Sequence, residues 1–321
     1  MIVDLSPTEE QQLIDDSIRA LLAARLPVER LREPGGQGGA GERAAWGELV
    51  ELGIFGLGLS ETQGGIGYGL PEEVIVARAS GAHLASPAIL AQMIAVHLAD
   101  DEARPGLMSG QSRAAFANVL DGRKAHLIDG GGASHAVLLS GAGIALLPTA
   151  ALGETEPFEG IDETVFMARL SGSFADLPRT SEADRLSLMF AAYLVGVAEG
   201  ACAMAVAYAG AREQFGQPIG AFQAVKHMCA DMAVRAAGAQ TQAFHAAILF
   251  GRGQDDGVEV SCARLLAGNA ALGNAKANLQ VHGAMGFTAE CDAHLFLKRA
   301  HLLSMTGSSR RAEQARILGR A

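Results

Sequence analysis

The chain has 321 residues, of which 49% are hydrophobic and 5% aromatic, so it can bury a large core in one to three domains. Its formal net charge of −10 argues against a nucleic-acid partner, because such binding needs clustered Lys and Arg to meet phosphates. The four cysteines stand far apart without a Cys-x-x-Cys pair, which indicates buried free thiols in a reducing cytoplasm.

The N-terminal third is predicted to be helical. Ser6 caps the first helix, Pro7 suits its first turn and Glu9 closes a capping box. No basic region followed by an apolar core precedes this helix, so no signal peptide is predicted. One face of the helix carries the apolar residues Leu13, Ile14, Ile18, Leu21 and Leu22. Further helices are predicted over residues 42–52, 71–85 and 87–99.

Residues 114–170 have a different character. Short apolar runs alternate there with turns rich in Gly and Asp, which is typical of strands. The segment therefore predicts a small β domain. The apolar runs are 125–128, 136–139, 144–147 and 165–168.

The second half is again helical. Residues 187–212 are long enough to span a bilayer, but Glu199 near the centre and the absence of a basic flank favour a buried bundle helix. Long helices of this kind suit an antiparallel bundle. The other predicted helices are 224–250, 258–282, 289–303 and 309–318.

A polar turn joins the first two of these helices. Gly216, Pro218 and Gly220 break the helical pattern between Arg212 and Lys226. The turn carries an Arg, aromatic residues and Gln side chains. Such a turn is well suited to hold a planar, phosphorylated ligand.

Several motifs in order resemble the acyl-CoA dehydrogenase family. Residues 212–223 read Arg-x-x-Phe-Gly-x-Pro-Ile-x-x-Phe-Gln, which resembles the signature of that family. Residues 280–290, Gln-Val-His-Gly-Ala-Met-Gly-Phe-Thr-Ala-Glu, are similar to its later flavin motif. Trp46 and the Gly-Gly-Ile-Gly run at 64–67 are similar to its first helical domain. The resemblance covers nearly the whole chain outside residues 105–180.

The resemblance implies a mainly α fold with a small β domain. It divides the chain into an N-terminal helical domain (1–112), a reduced central β domain (113–180) and a C-terminal antiparallel helix bundle (181–321). The family's β domain is larger and normally opens with a Thr-Glu-Pro…Gly-Ser-Asp stretch that meets the flavin ring. Residues 114–122 stand in that place and read Ala-Ala-Phe-Ala-Asn-Val-Leu-Asp-Gly. Thr155-Glu156-Pro157 and Asp162 look like the missing stretch only superficially.

The first motif is implied to bind FAD. A pyrophosphate needs a fixed cation and hydrogen-bond donors, and Arg offers both in a planar fork. By resemblance, Arg212, Gln214 and Phe215 would face the pyrophosphate and ring-linking region of a neighbouring subunit's FAD. Gln223 would lie beside the adenosine. The family usually has Thr or Ser where Gln214 stands.

The second motif is implied to contact the same cofactor. Gln280, Gly283 and Ala284 would approach it, and the small residues allow the backbone to come close. The family usually has two glycines where Gly283 and Ala284 stand. For His282, neutral packing or a hydrogen bond is favoured over proton transfer. No His, Cys and Asp cluster has metal-ligand spacing, so no metal site is predicted.

The implied reaction is the α,β-dehydrogenation of an acyl-CoA thioester, in which a carboxylate removes the α proton. The family places this base at one of two positions, which fall near Leu186 and Ser187 or on Thr306 and Gly307. None of these is acidic, so no catalytic residue is recognised. Asp184 is close, but a shift of two residues on a helix turns a side chain by roughly 200°. A solvated or capping role is therefore predicted for Asp184.

The chain lacks the base and much of the ring-binding β domain, yet keeps the residues that a subunit lends to its neighbour. This pattern resembles the short subunits of the heterotetrameric acyl-CoA dehydrogenases of steroid side-chain degradation. It implies that a full-length partner supplies the glutamate, with electron-transfer flavoprotein as the electron acceptor. Two alternatives stay open: a homo-oligomeric acyl-CoA dehydrogenase with an atypical base, and a scaffold paralogue without enzymatic activity. The acyl group (fatty, branched or steroid) is not predicted.

Overall fold

A computed structural model describes residues 3–33, 39–141, 143–174, 177, 180–255 and 257–319. Within these ranges the predicted mainly α fold with a small β sheet is confirmed. The helices are α1 (Glu9–Arg25), α2 (Ala40–Glu51), α3 (Leu70–Ala82), α4 (Ala88–Leu98), α5 (Arg104–Met108), α6 (Ser181–Ala211), α7 (Gln223–Gly251), α8 (Val258–His282), α9 (Ala293–Ser304) and α10 (Arg310–Ile317). The strands are β1 (Ala114–Asp121), β2 (Lys124–Ile128), β3 (His135–Ser140), β4 (Gly143–Pro148), β5 (Thr155–Pro157), β6 (Met167–Ser171), β7 (Glu213–Gln214) and β8 (Gln217–Pro218).

The start of α1 differs from the prediction. Thr8, not Ser6, is the N-cap, and its hydroxyl accepts from the Gln11 N–H while the Gln11 side chain accepts from the Thr8 N–H. This is a complete capping box, two residues later than predicted. The predicted apolar face is buried at Ile18 and Leu22, whereas Leu13 is 65% exposed.

α6 is the central helix of the bundle and packs against α3, α7, α8 and α9. It begins at Ser181, six residues before the predicted start, because Glu182 and Asp184 in its first turn suit the positive end of the helix dipole. Among the described residues it is the one helix with the length and apolar composition to cross a membrane, and 67% of its most apolar window is buried in the fold. Glu199 lies 3.6 Å from both Arg19 and Arg78.

Glycines bring α3 and α6 unusually close. A Cβ on Gly196 would lie 1.9 Å from the Arg78 carbonyl oxygen, and a Cβ on Gly81 would lie 1.9 Å from the Tyr193 carbonyl oxygen. Real Cβ atoms do not approach an oxygen that closely. Both positions therefore need glycine because a side chain would clash with the facing helix, and not because of their backbone conformation. The contact joins the N-terminal helices to the bundle.

Substituting Gly196→Ala tests this contact. We expect a loss of about 1–3 kcal/mol of unfolding free energy, because the added methyl forces the helices apart. Gly210→Ala is the matched control, since Gly210 lies in the same helix and a Cβ there meets nothing within 4 Å. That control should gain up to about 1 kcal/mol from the helix propensity of Ala. Equal effects of both changes in urea denaturation would contradict the close contact.

The sheet has six strands in the order β4-β3-β1-β2-β6-β5. β1 and β3 run parallel, and the other neighbouring pairs are antiparallel. One face packs on the helices, with Phe116 of β1 lying 5.1 Å from Phe190 of α6 between ring centroids. The predicted runs at 125–128, 136–139 and 144–147 lie on strands, whereas the run at 165–168 begins two residues before β6.

The cysteines form no disulfide in the structure, and their burial is only partial, whereas buried thiols were predicted. All four are free, and each is partly exposed rather than buried. Cys202 and Cys229 face each other across α6 and α7, where burial raises the pKa of both thiols.

A buried carboxyl group follows β2 at Asp129, whose φ of 52° is left-handed. Its oxygens accept from the Phe166 N–H at 2.8 Å and from the Ser86 hydroxyl. Burial raises the pKa of Asp129 from 3.8 to about 6. Between those values the folded state binds more protons than the unfolded state, so this group makes stability fall as pH rises through that window.

Asp129→Asn should remove this pH dependence while keeping a side chain that tolerates left-handed backbone. Relative to the parent, we expect the variant to gain up to about 3 kcal/mol of unfolding free energy between pH 4 and pH 7. Urea denaturation at several pH values measures it. Asp121→Asn, at the exposed end of β1, is the control. Parallel profiles for the parent and Asp129→Asn would show the assignment to be wrong.

Candidate functional site

The predicted polar turn is confirmed between α6 and α7, and it is a β-hairpin, which the sequence did not predict. β7 and β8 pair through Gln214 and Gln217, with Phe215 and Gly216 at the tip. Both tip residues have positive φ, 53° and 79°, as the favoured two-residue hairpin turns require. Phe215 adopts this conformation at a steric cost, and its ring is 93% exposed.

The second motif lies at the end of α8. Gly283 ends the helix with φ 61° and ψ −139°, a conformation that glycine adopts readily and other residues avoid. A Cβ there would meet nothing within 4 Å, so the backbone is open to a close approach from outside. Gln280, Gly283 and Ala284 are exposed.

Aromatic stacking holds the two motifs together. The rings of Tyr208, in the last turn of α6, and His282 stack at 4.0 Å between centroids. His282 Nδ1 is hydrogen-bonded to the Asn278 carbonyl oxygen at 2.9 Å, so this histidine has the predicted packing role. A small apolar cluster supports the contact from Ala205, Ala209, Met232 and Val281. Both motifs therefore lie at one end of the bundle.

The side chains at this end point outwards. Arg212 caps the end of α6 through its backbone, and among the described residues its side chain has neither an ion pair nor a hydrogen bond. The guanidinium of Arg212, with exposed amide groups beside it, can bind a phosphate. The exposed ring of Phe215 can stack on a planar group. The exposed motif residues are Arg212, Gln214, Phe215, Gln223, Gln280, Gly283 and Ala284. Exposed apolar residues near them are Val206, Met285 and Phe287.

The two predicted base positions meet in one cavity of about 510 Å³, here named the α6–α10 cavity. It lies between the start of α6, the β3–β4 hairpin and α10, and Leu186, Ser187, Thr306 and Gly307 all line it. The Gly307 N–H donates to the Asn118 side chain of β1 at 2.9 Å. The structure thus brings together positions 120 residues apart in sequence, and none of them is acidic.

Asp184, in the first turn of α6, also lines this cavity, and its side chain is 28% exposed. Its carboxylate accepts two hydrogen bonds from Arg316 of α10, at 2.5 and 2.7 Å. The pair is bidentate, so both oxygens of this carboxylate are engaged by one guanidinium. Sequence reasoning missed the pair because Arg316 lies 132 residues away and no local pattern connects it with Asp184.

The other carboxylate among the described lining residues is Glu313, which accepts from the Ser261 hydroxyl at 2.6 Å. Arg264 lies behind it, buried under the Phe190 ring. Its Nη2 donates to the carbonyl oxygens of Leu303 and Thr306 at 2.5 and 2.9 Å. Burial lowers the pKa of Arg264 to about 10, partly offset by Glu313. Both lining carboxylates are thus engaged in hydrogen bonds.

The stretch that superficially resembles the flavin-ring motif lies away from this cavity. Thr155, Glu156 and Pro157 form the exposed edge strand β5, three places from β1 in the sheet. Asp162 is fully buried and binds Arg299 at 2.6 Å. Neither place therefore lies beside the predicted base positions.

Comparisons with known proteins agree with these motifs. Two family models match: "Acyl-CoA dehydrogenase, N-terminal domain" over residues 8–100 and "Acyl-CoA dehydrogenase, C-terminal domain" over residues 182–320. The chain is 30% identical over 307 residues to acyl-CoA dehydrogenase IpdE2 of Mycobacterium tuberculosis, covering 92% of each protein. It is 34% identical over 282 residues to acyl-CoA dehydrogenase FadE34 of the same organism, which covers 81% of this chain but only 39% of FadE34.

Solved structures show the same fold. The ChsE4-ChsE5 complex from Mycobacterium tuberculosis matches with a TM-score of 0.77 and 23% identity, covering 99% of this chain and 98% of that chain. An identity this low supports the fold alone.

Proposed function

This chain belongs to the acyl-CoA dehydrogenase family of flavoprotein oxidoreductases, and we propose that it completes the FAD site of a full-length partner subunit. The observation that carries the proposal is that two parts of the chain differ in the groups they offer to a ligand. The residues suited to a neighbour's cofactor lie exposed at one end of the bundle, while the α6–α10 cavity offers no free carboxylate among the described residues.

The exposed end fits FAD by its donor set. Arg212 would hold the pyrophosphate, with Gln214 and Phe215 along the ring-linking region. Gln223 would donate to the adenosine. Bound there, FAD would supply the acceptor for the hydride that leaves the β carbon of the acyl group.

The second motif would close the same site. The Gln280 side chain would donate to the cofactor, and the open backbone at Gly283 and Ala284 would let it come into contact. Stacking of Tyr208 on His282 fixes the spacing between the two motifs. The role of this chain is thus to bind and orient the cofactor.

The proton of the α carbon would be removed by the partner. A general base must be a carboxylate within hydrogen-bond reach of that proton. Here Thr306 stands at one family position, and its hydroxyl donates to the Leu302 carbonyl oxygen at 2.9 Å. Leu186 stands at the other. The electron acceptor, electron-transfer flavoprotein by family resemblance, belongs to the same proposal.

A homo-oligomeric enzyme is the second candidate, because Asp184 lies in the cavity of the base positions. Both oxygens of this carboxylate are bonded to Arg316, so it would have to leave that pair to contact a substrate. Such an enzyme would need no partner. The two candidates therefore differ in what Asp184 does.

Acyl-CoA-dependent reduction of a dye separates the candidates. We expect no turnover by this chain alone and turnover when it is co-expressed with a full-length homologue encoded nearby. Asp184→Asn should leave the activity of the mixture within about twofold, since it touches no reacting atom there. If the chain alone were active and the Asp184→Asn variant were not, the homo-oligomeric enzyme would be established instead. If the mixture turned over no faster than the homologue alone, the scaffold alternative would be supported.

A further inference from the structure

A second cavity, of about 260 Å³, lies between residues 3–8, α1, α3, α6 and α7 and is here named the α1–α7 cavity. Ala192 and Val195 of α6 line it, whereas Leu186 and Phe190 line the α6–α10 cavity. Val195 follows Leu186 by nine residues, which places the two side chains roughly 180° apart around the helix. None of the predicted FAD or base positions is among the described residues that line this cavity. It is therefore a separate site.

The α1–α7 cavity has an apolar wall drawn from four segments of the chain. Val74, Ile75 and Val195 are each at most 6% exposed, so an apolar group placed against them would be shielded from water. A dry cavity of about 150 Å³ already holds benzene, so this volume admits roughly ten non-hydrogen atoms. The wall is completed by Leu5 before α1 and by Phe244 of α7.

Two polar groups of the lining have hydrogen-bonding capacity to spare. The Nη2 of Arg78 donates to Asp15 at 2.9 Å, but its Nη1 has no hydrogen-bond partner in the described part of the chain. The amide of Gln240, on α7, likewise has none there. The fold encloses the Arg78 Nε completely, whereas neither the Nη1 nor the Gln240 amide is enclosed in this way. These two groups can therefore donate to a ligand oxygen.

The charges around the cavity are balanced. Asp15 lies 2.8 Å from Arg19 and 2.9 Å from Arg78, and Glu199 lies 3.6 Å from each of the same two arginines. Two cations thus face two carboxylates, which leaves no net charge to attract an ion. Moving a charged ligand out of water without an opposite charge to meet it is costly. An uncharged hydrogen-bond acceptor avoids this cost.

We infer that the α1–α7 cavity binds a small uncharged molecule that carries a carbonyl or hydroxyl oxygen on an apolar body. The oxygen accepts from Arg78 and Gln240, and the body lies against Val74, Val195 and Phe244. Amides, esters, ketones and alcohols share this chemistry. The residues belong to this chain alone and lie outside the FAD-binding end, so the inference does not depend on the proposed function.

A ligand in this cavity would act on the joint between the N-terminal helices and the bundle. The carbonyl oxygen of Arg78 faces Gly196 in the close contact between α3 and α6, and Val195 is the neighbour of Gly196. A molecule held between Arg78 and α7 would therefore bind to the folded arrangement of α3, α6 and α7 and stabilise it.

Titration of the purified full chain with N-cyclohexylacetamide, followed by saturation-transfer NMR, tests the inference. This probe has an amide oxygen and an apolar ring, and we expect saturable binding with a Kd on the order of 1 mM. Cyclohexylacetate and cyclohexylmethylammonium, which carry the same ring, should bind at least about tenfold more weakly. Absence of saturable binding of the amide up to about 20 mM, or equal binding of a charged probe, would overturn the inference.

Two glutamines of α7 give a matched pair of variants. Gln240→Leu should weaken binding of the amide about fivefold, the loss expected for one hydrogen bond. Gln242 lies two residues away, donates to Glu259 at 2.6 Å and is not part of the lining. Gln242→Leu should therefore change the affinity by less than about twofold. Equal losses in the two variants would overturn the site.

Filling the cavity gives an independent test. Ala243 lines it and is 2% exposed, so Ala243→Leu should reduce the affinity for the amide more than about tenfold. Ala237→Leu, at an exposed position of the same helix, is the control and should bind as the parent does. A folded Ala243→Leu variant, verified by its melting curve, that binds the amide undiminished would overturn the inference. If that variant does not fold, the Gln240 and Gln242 pair decides.

Discussion

Replacing Arg212 with alanine is expected to lower the affinity of the mixed complex for FAD about a hundredfold, since a charged hydrogen-bond pair to a phosphate contributes up to about 3 kcal/mol. Arg212 is exposed and has no side-chain partner among the described residues. Its removal should therefore change the unfolding free energy by less than about 0.5 kcal/mol. The loss would be confined to cofactor binding.

The measurement is a titration of the apo mixed complex with FAD, followed by flavin fluorescence. Arg252→Ala is the matched control, because Arg252 is also exposed and has no side-chain partner in the part of the chain that the structure describes, but lies at the other end of α7. This control should bind FAD as the parent does. Undiminished binding by Arg212→Ala would remove Arg212 from the proposed site.

Replacing Arg299 with methionine is expected to cost about 3–5 kcal/mol of unfolding free energy, because it leaves a buried carboxylate without its cation. Arg299 is 1% exposed, and its Nε donates to Asp162 at 2.6 Å. Its other nitrogens donate to Thr164 and Tyr193 and to the carbonyl oxygens of Leu84 and Ala85. One side chain of α9 thus joins the N-terminal helices, the sheet domain and α6.

Equilibrium denaturation in urea measures this loss. Lys298→Met is the neighbouring control, since Lys298 pairs with Glu163 at the surface. An exposed pair contributes at most about 1 kcal/mol. Equal destabilisation by both variants would show that the Arg299 network is not the joint between these parts of the fold.

The long helices were predictable because their apolar periodicity is local. The predicted bounds of α7 and α8 agree with the structure to within one residue. The start of α6 was set too late, because its polar first turns carry no apolar repeat and are instead stabilised by charge. Leu13 was assigned to the buried face from its type, but it lies roughly 180° around the helix from the buried Leu22 and is 65% exposed.

The candidate site was predictable only in part. The motif around Arg212 is continuous in sequence, so its residues and the turn that carries them could be found. Nothing in the sequence predicts the left-handed φ of Phe215, because aromatic residues rarely adopt that backbone conformation. The pairing of Asp184 with Arg316 depends on the packing of α10 against α8, which sequence spacing does not encode.

The central claim is that the FAD site is shared between this chain and an unlike partner. The ratio of bound FAD to polypeptide, measured by flavin absorbance and molar mass on the chain alone and on the mixed complex, tests it most directly. One FAD per pair of unlike chains, with none on the chain alone, is the predicted result. A yellow homo-oligomer carrying one FAD per chain would contradict it.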